Sequence, residues 1–271
     1  MAKITDGDRQ LYQKKIQPYQ LTAKAILKEE EAALLEIKTN PDGAAIQRLA
    51  LVDKMLNLAS NYIIQSGMSQ SVLKVRNEDA LNEGRKYLYR GVTYLEEIVS
   101  NYVDASFFEY EERLAAIVSM DQERRYFLIR KMGLAVQLLE NAYGADAKWK
   151  WSFVELEGRY AAVAKNILDL KKAAANTDPR AADYESTMYH LALIKKLFVQ
   201  AADRYREKYE MSSNQIEDFK QAVLFLSGLI RVLTVMGDRN EIEAVKKKRD
   251  TWAAKLDADE KKQAEMAAKR K

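Results

Sequence analysis

The sequence predicts an all-α fold, an elongated bundle of long antiparallel helices. The 271-residue chain contains only three prolines and ten glycines, and it is dominated by strong helix formers such as Ala, Leu, Lys and Glu. Apolar residues recur at steps of three and four along most of the chain, as they do on one face of a helix. The helices marked by this spacing are roughly 20–35 residues long and are joined by short turns, which indicates antiparallel neighbours.

The N-terminal part, residues 1–67, is predicted to form a helical hairpin as a domain of its own. Its first helix meets Pro18, which we expect to kink it or to begin a new helix, because proline lacks the amide hydrogen and clashes with the preceding turn. Asn40-Pro41-Asp42-Gly43 is a turn, after which the second helix begins. Gly67 is the predicted end of that helix, in a left-handed conformation.

Residues 68–256 are predicted to form the main helical bundle. Thr177-Asp178-Pro179 indicates a boundary, with Asp178 as the cap and Pro179 in the first position of the following helix. The most apolar segment, residues 214–237, predicts a central buried helix. We expect no transmembrane segment, because the uninterrupted apolar part is shorter than the roughly 20 residues a bilayer needs. The other long helices are expected at residues 77–103, 122–143, 148–176, 180–210 and 238–256.

Residues 257–271 are predicted to form a basic helical tail that projects or frays, because this stretch has little to bury. From Lys246 onward the chain carries ten basic and five acidic residues, so the body before it has a net charge of −1. The tail is interpreted as a solvated helix end, an arm used in assembly, or a contact with an anionic surface. Specific nucleic-acid binding is not expected, since no aromatic residue follows Trp252 and the acidic residues dilute the charge.

A degenerate tetratricopeptide-like array is the alternative to a simple bundle. Tyrosines recur near predicted helix ends, at Tyr102, Tyr143, Tyr205 and Tyr209. Their spacing and their flanking residues do not repeat at the 34-residue period of that family. The repeat therefore stays an alternative interpretation of the same long helices.

The sequence offers no motif for catalysis, for a metal or for a cofactor, and we expect none of these sites. The chain has no cysteine and a single histidine, His190, which we expect to be partly exposed or at the edge of the core. No Glu-x-x-His pair and no phosphate-binding glycine loop is present. Adjacent acidic residues point about 100° apart on a helix, so they do not converge on one atom.

Aromatic residues are the best candidates for partner contacts. Trp149 and Trp151 alternate with lysines at a predicted helix start, and tryptophan is frequent in binding hot spots. Several tyrosines lie at the edges of apolar stripes, where a ring is half-buried either in the bundle or in a neighbour. The alternative is that all of these rings pack inside the chain. The tyrosine candidates are Tyr87, Tyr94, Tyr110 and Tyr184.

In its general character, a cysteine-free chain of long helices, the whole sequence resembles the structural proteins that sheathe or coil the periplasmic flagellar filaments of spirochaetes. No motif carries this resemblance, so it implies no functional residue. It implies a processed, periplasmic chain. The polar N-terminus as written lacks the apolar core of a signal peptide, which favours the cytoplasm instead.

The predicted function is a non-enzymatic structural or scaffold subunit that contacts other proteins within a larger assembly. The alternative is a helical adaptor or binding module, which uses a groove or places its basic C-terminal tail on an anionic surface. The third class, an enzyme of unfamiliar type, requires a deep polar pocket near His190.

Overall fold

The computed structural model describes residues 4–144 and 147–269, and within these ranges the chain forms helices and turns with no strand, which confirms the all-α prediction. A 3₁₀ turn at Phe107–Glu109 and a π-helical turn at Tyr209–Ser213 connect some of the α-helices. The α-helices are α1 (Asp6–Thr39), α2 (Ala44–Leu73), α3 (Glu78–Val99), α4 (Glu111–Ala115), α5 (Gln122–Tyr143), α6 (Ala147–Lys150), α7 (Val154–Asn166), α8 (Leu170–Ala175), α9 (Tyr184–Lys208), α10 (Ile216–Met236) and α11 (Arg239–Lys269).

The chain divides into two compact units. Unit 1 contains the residues up to Ser100 together with Ala115–Ser119 and Phe127–Trp149. Unit 2 contains Asn101–Leu114, Met120–Tyr126 and the residues from Lys150 onward. In unit 1, α2 packs against both α1 and α3. In unit 2, α10 packs against α8, α9 and α11, and α7 packs against α9.

Helix α1 runs without a break through Pro18, so no new helix begins at this residue. The predicted kink stays a prediction. The backbone carbonyl of Lys14, four residues earlier, loses its amide partner at Pro18. Both residues are exposed, so water can reach this carbonyl. With 34 residues, α1 alone is as long as a whole tetratricopeptide repeat, so its length follows the long-helix prediction.

A narrow seam buries one side of α1. Its fully buried members follow one another at steps of four and seven residues, and partly buried residues fill the gaps, which gives the 3.5-residue period of lengthwise helix packing. One member is charged: Glu30 is buried, and its carboxylate accepts hydrogen bonds from Arg90 and Tyr94 of α3. The buried members of this inner seam are Tyr12, Ile16, Ala23, Glu30 and Ile37.

Helix α2 continues past Gly67, so the prediction that it ends there is wrong. Ser66 and Ser69 are buried on the packed side of α2, which keeps this part of the chain helical. The helix ends instead at Leu73, and the next residue, Lys74, has the left-handed conformation (φ 59°). The predicted turn before α2 is confirmed, with Gly43 at φ 77°.

Helix α10 is the core helix of unit 2, as predicted, and Gly237, with φ 75°, caps its C-terminal end. Phe219, Phe225 and Leu229 are among its buried residues, and the ring of Phe225 packs edge-on against Phe198 of α9. By length and composition α10 also meets the criterion for a membrane-spanning helix, the one helix in the described ranges to do so. The core helix of a folded unit meets the same criterion.

Two predicted helices of unit 2 are shorter than expected. The stretch 148–176 is broken into α6, α7 and α8. The carboxylate of Asp169 accepts hydrogen bonds from the amides of Lys171 and Lys172 and so begins α8 as a separate helix. Pro179 is not the first residue of α9, which begins at Tyr184. The carboxylate of Asp178 binds Arg180 instead and holds a turn.

The C-terminal stretch belongs to one continuous helix, α11, which docks through Trp252 and Leu256 as predicted. The expectation that residues beyond 256 project is wrong as far as Gln263. The carboxylate of Asp259 accepts a hydrogen bond from Tyr209 (2.9 Å), and the amide of Gln263 donates to the backbone carbonyl of Asn214 (3.1 Å).

Two glycine substitutions should change stability in opposite directions. A Cβ on Gly228 of α10 would meet a ring carbon of Phe198 and the backbone oxygen of Val103, both at 2.6 Å, so Gly228→Ala should lower the free energy of unfolding by roughly 1–3 kcal/mol. A Cβ on Gly67 meets no atom within 4 Å, so Gly67→Ala should raise it by roughly 0.5–1 kcal/mol. Urea unfolding measures both, and a destabilised Gly67→Ala variant would contradict the continuous α2.

Candidate interaction surface

An apolar stripe lies on the outer side of α5 in unit 1. Phe127, Leu134 and Leu138 are separated by seven and four residues, which places them on one face, and they are 51%, 57% and 43% exposed. Ile129 and Met132 lie on the opposite side and are fully buried. We call Phe127, Leu134 and Leu138 the α5 stripe. The apolar residues of α5 therefore fall on two faces of the helix.

A second apolar stripe lies on the outer side of α1, opposite the inner seam. Leu11, Leu21 and Leu35 are 46%, 60% and 65% exposed. The small or apolar residues Pro18, Ala25 and Ala32 continue the same face and are also exposed. We call these six residues the α1 outer stripe.

The two candidate tryptophans are partly buried, each beside a cation, and they belong to different units. In unit 1 the ring of Trp149 lies 4.9 Å from the ring of Tyr143 and 5.1 Å from the guanidinium of Arg85. In unit 2 the Nζ of Lys150 lies 4.5 Å from the ring of Trp151. The structure therefore gives both rings contacts within the chain, and a role in partner binding stays a prediction.

Tyr87 and Tyr94 are buried between helices of unit 1. Tyr87 stacks on Tyr62 at 5.5 Å between ring centroids, and burial raises its pKa to about 12. The hydroxyl of Tyr94 donates to the Glu30 carboxylate at 2.5 Å, and the guanidinium of Arg90 donates to the other carboxylate oxygen at 2.7 Å. Both rings are 6% exposed, which leaves little of either side chain to contact a partner.

Tyr110 lies in the core of unit 2, against Lys165. Both side chains are buried, and the Nζ of Lys165 lies 5.0 Å from the Tyr110 ring centroid. Neither the Lys165 amine nor the Tyr110 hydroxyl has a hydrogen-bond partner among the described residues. Burial lowers the pKa of Lys165 to about 8, and the carboxylate of Asp104 opposes this shift. The sixth candidate, Tyr184, is partly buried at the start of α9.

His190 is fully buried, so the expectation that it is partly exposed or at the core edge is wrong. Its Nε2 lies 2.9 Å from the backbone oxygen of Ala164, which only accepts, so Nε2 carries the hydrogen. Its Nδ1 then accepts from the side-chain amide of Gln122 at 3.0 Å. Burial lowers the pKa of His190 to about 4, so the ring is neutral near pH 7, and both of its nitrogens are hydrogen-bonded inside the core. No group of three or more metal-binding side chains occurs in the described part of the chain.

A cleft of about 350 Å³ lies at the start of α3 in unit 1, next to Tyr12 and Leu73. Its polar side chains contact one another. The Tyr12 hydroxyl accepts a hydrogen bond from Asn77 at 3.1 Å, and Arg76 pairs with Glu78 at 2.9 Å. The cleft therefore offers apolar walls with few polar groups directed at a ligand.

The exposed face of the C-terminal stretch is more basic than its composition suggests. Asp259 is bonded to Tyr209, and Glu260 pairs with Lys220 at 3.0 Å, so two of its acidic residues are engaged within unit 2. Lys261 and Lys262 are exposed and make no ion pair with any described residue.

Replacing the buried lysine should stabilise unit 2 and flatten its pH dependence. The pKa of Lys165 in the folded chain, about 8, lies below its ordinary value of 10.5, so the unfolded chain binds more protons between these values and stability rises with pH there. Lys165→Met removes this rise. Near pH 7 it should add up to about 3 kcal/mol to the free energy of unfolding. Urea unfolding near pH 7 and near pH 10 measures both effects.

The control is Lys172→Met, because the side chain of Lys172 is 70% exposed in the same unit. Its pH profile should match that of the wild type. Equal profiles for the wild type and the Lys165→Met variant would contradict a buried, pKa-shifted amine.

Comparison with known proteins gives one finding. No curated protein and no solved structure matches the chain at a significant level. The model of the TP0443 family matches residues 8–260, which include both units almost completely. That family is named for a Treponema protein, and this name agrees with the resemblance to spirochaete proteins in the sequence. The chain therefore belongs to the TP0443 family.

Proposed function

We propose that the chain is a non-enzymatic structural or scaffold subunit that works through protein–protein contacts in a larger spirochaete assembly, of the kind that sheathes flagellar filaments. The observation that carries this proposal is the α5 stripe. Three large apolar side chains lie about half exposed on one face of a helix whose other face already fills the core of unit 1.

The exposed area is sufficient to contribute to an interface. Full burial of a Leu or Phe side chain stabilises by roughly 1.5–3 kcal/mol, so burying the remaining half of three such side chains adds about 3 kcal/mol. An apolar stripe within a polar surface is typical of sites for other proteins. The spacing of Phe127, Leu134 and Leu138 fits the side of a partner helix.

The buried ionisable groups support a structural rather than a catalytic role. The Glu30 carboxylate is held between Arg90 and Tyr94, and both nitrogens of His190 are hydrogen-bonded inside the core. Lys165 is enclosed beside an aromatic ring. Groups with shifted pKa values often mark active sites, but His190 and Lys165, whose pKa values burial lowers, lie where the helices pack against one another.

A photo-crosslinking amino acid at position 134, expressed in spirochaete cells, tests the proposal. We expect covalent products with filament or envelope proteins, because residue 134 lies at the centre of the α5 stripe. The matched control is position 86 of α3, where the lysine side chain is 68% exposed and lies outside any apolar stripe. Products at position 134 that are as rare as those at position 86, or that contain only small-molecule enzymes, would overturn the proposal.

The second candidate function is binding to an anionic surface through the C-terminal stretch, and the outward position of Lys261 and Lys262 favours it. If this function holds, the wild type co-sediments with anionic vesicles and the Lys261→Gln/Lys262→Gln variant does not. This variant keeps Gln263 and its contact with Asn214, so α11 stays docked. Lys171→Gln/Lys172→Gln is the control for charge alone. Equal sedimentation of all three proteins would remove this candidate.

A further inference from the structure

The outer side of α1 repeats with the same 3.5-residue period as its inner seam. Leu11, Pro18, Ala25 and Ala32 are seven residues apart; Leu21 follows Pro18 by three residues and precedes Ala25 by four, and Leu35 follows Ala32 by three. Lys14 and Lys28 occupy the remaining positions of the repeat, and all eight side chains are exposed. A second apolar stripe with this period fits the side of another long helix.

The charges of α1 are segregated along its length. Residues 9–28 contain five basic residues and no acidic one, whereas residues 29–36 contain four acidic residues and no basic one. The helix dipole explains Asp6 and Asp8 in the first turn and Lys38 in the last turn, because its effect is confined to the helix ends. It does not explain the interior pattern.

Most of these charges have no partner within the chain. Glu30 binds Arg90 and Tyr94, Glu29 pairs with Lys54, and Arg9 lies 3.9 Å from Asp6. The other six make no ion pair with any residue in the described ranges, and they flank or join the α1 outer stripe: Lys14, Lys15, Lys24, Lys28, Glu31 and Glu36.

We propose that the α1 outer stripe binds the same stripe of a second copy of the chain, with the two helices antiparallel about a two-fold axis near residue 23. This arrangement places Leu11 of one copy opposite Leu35 of the other, and Leu21 opposite Ala25. It also brings Lys14 and Lys15 next to the acidic end of the partner helix. A parallel arrangement would set like charges side by side instead.

The proposal names the first partner of the structural subunit proposed above, and it rests on that function. The contact is isologous, so it closes as a dimer, and it does not use the α5 stripe proposed for other proteins. Its apolar part is small, and exposed ion pairs contribute little, so we expect a dimer that forms in the micromolar range.

Exchanging the charges tests the pairing. Lys14→Glu/Lys15→Glu and Glu31→Lys/Glu36→Lys should each weaken the dimer by at least about tenfold in sedimentation experiments, because each variant brings like charges together. An equimolar mixture of the two variants should recover the dimer, since both ends of a mixed pair then carry opposite charges. Folding is preserved because these four side chains make no ion pair within the described chain.

Single cysteines test the orientation, because the natural chain contains none. Residues 11 and 35 are roughly 36 Å apart along α1. Under mild oxidation, Leu11→Cys alone and Leu35→Cys alone should stay uncrosslinked, and their mixture should form a disulfide-linked dimer. Linkage in each variant alone would establish a parallel contact and overturn the proposal.

Failure of this inference can be separated from failure of the proposed function. A wild-type chain that stays monomeric at high micromolar concentration, with crosslinks at position 134 intact, would remove the α1 dimer alone. Loss of the crosslinks at position 134 with the dimer intact would remove the proposed assembly. Leu21→Glu should abolish the dimer, whereas Val118→Glu, at a residue that is 69% exposed outside α1, should leave it unchanged.

Discussion

Burial of the Glu30 carboxylate is the constraint on which the packing of α1 depends. A buried carboxylate without partners costs several kcal/mol, so α1 is stable only in the register that brings Glu30 to Arg90 and Tyr94 of α3. The other members of the inner seam are the apolar or small Ile16, Ala23 and Ile37, which tolerate sliding better than a charge does, and Tyr12, whose hydroxyl accepts a hydrogen bond from Asn77. The charged contact at Glu30 is therefore the strongest constraint on which side of α1 faces the unit and which side remains exposed.

The parts of the fold that depend on local chemistry could be predicted from the sequence. The apolar pattern and Gly237 correctly define α10, and Gly43 correctly marks the turn before α2. Gly67 and Pro179 look like equally clear helix-end and helix-start signals in the sequence. Whether a helix ends or begins there depends instead on how the surrounding side chains pack and bond. Ser66 and Ser69 are buried beside Gly67, and Asp178 binds Arg180 next to Pro179. Neither feature produces a periodic pattern in the sequence from which it could be predicted.

The candidate surface was harder to predict because side-chain exposure depends on tertiary packing. Tyr94 resembles an edge residue in the sequence, yet the burial of Glu30, 64 residues earlier, draws its hydroxyl into the core. His190 is buried because Gln122 and Ala164 satisfy its ring from other helices. For Leu134 and Leu138 a signal was present, since the apolar residues of α5 occupy two faces. The core of unit 1 buries one of these two faces and leaves the other exposed. The structure identifies the face of Ile129 and Met132 as the buried one.

The distribution of the tryptophans has a spectroscopic consequence. Trp149 belongs to unit 1, whereas Trp151 and Trp252 belong to unit 2, and each indole lies against at least one cationic side chain. Trp252 lies against both Arg206 and Lys248, with the two cationic groups 4.5 Å and 4.6 Å from its ring centroid. A positive charge close to an indole changes its emission, and unfolding removes that charge. Variants that retain a single tryptophan would therefore report the opening of each unit separately by intrinsic fluorescence, without an attached label.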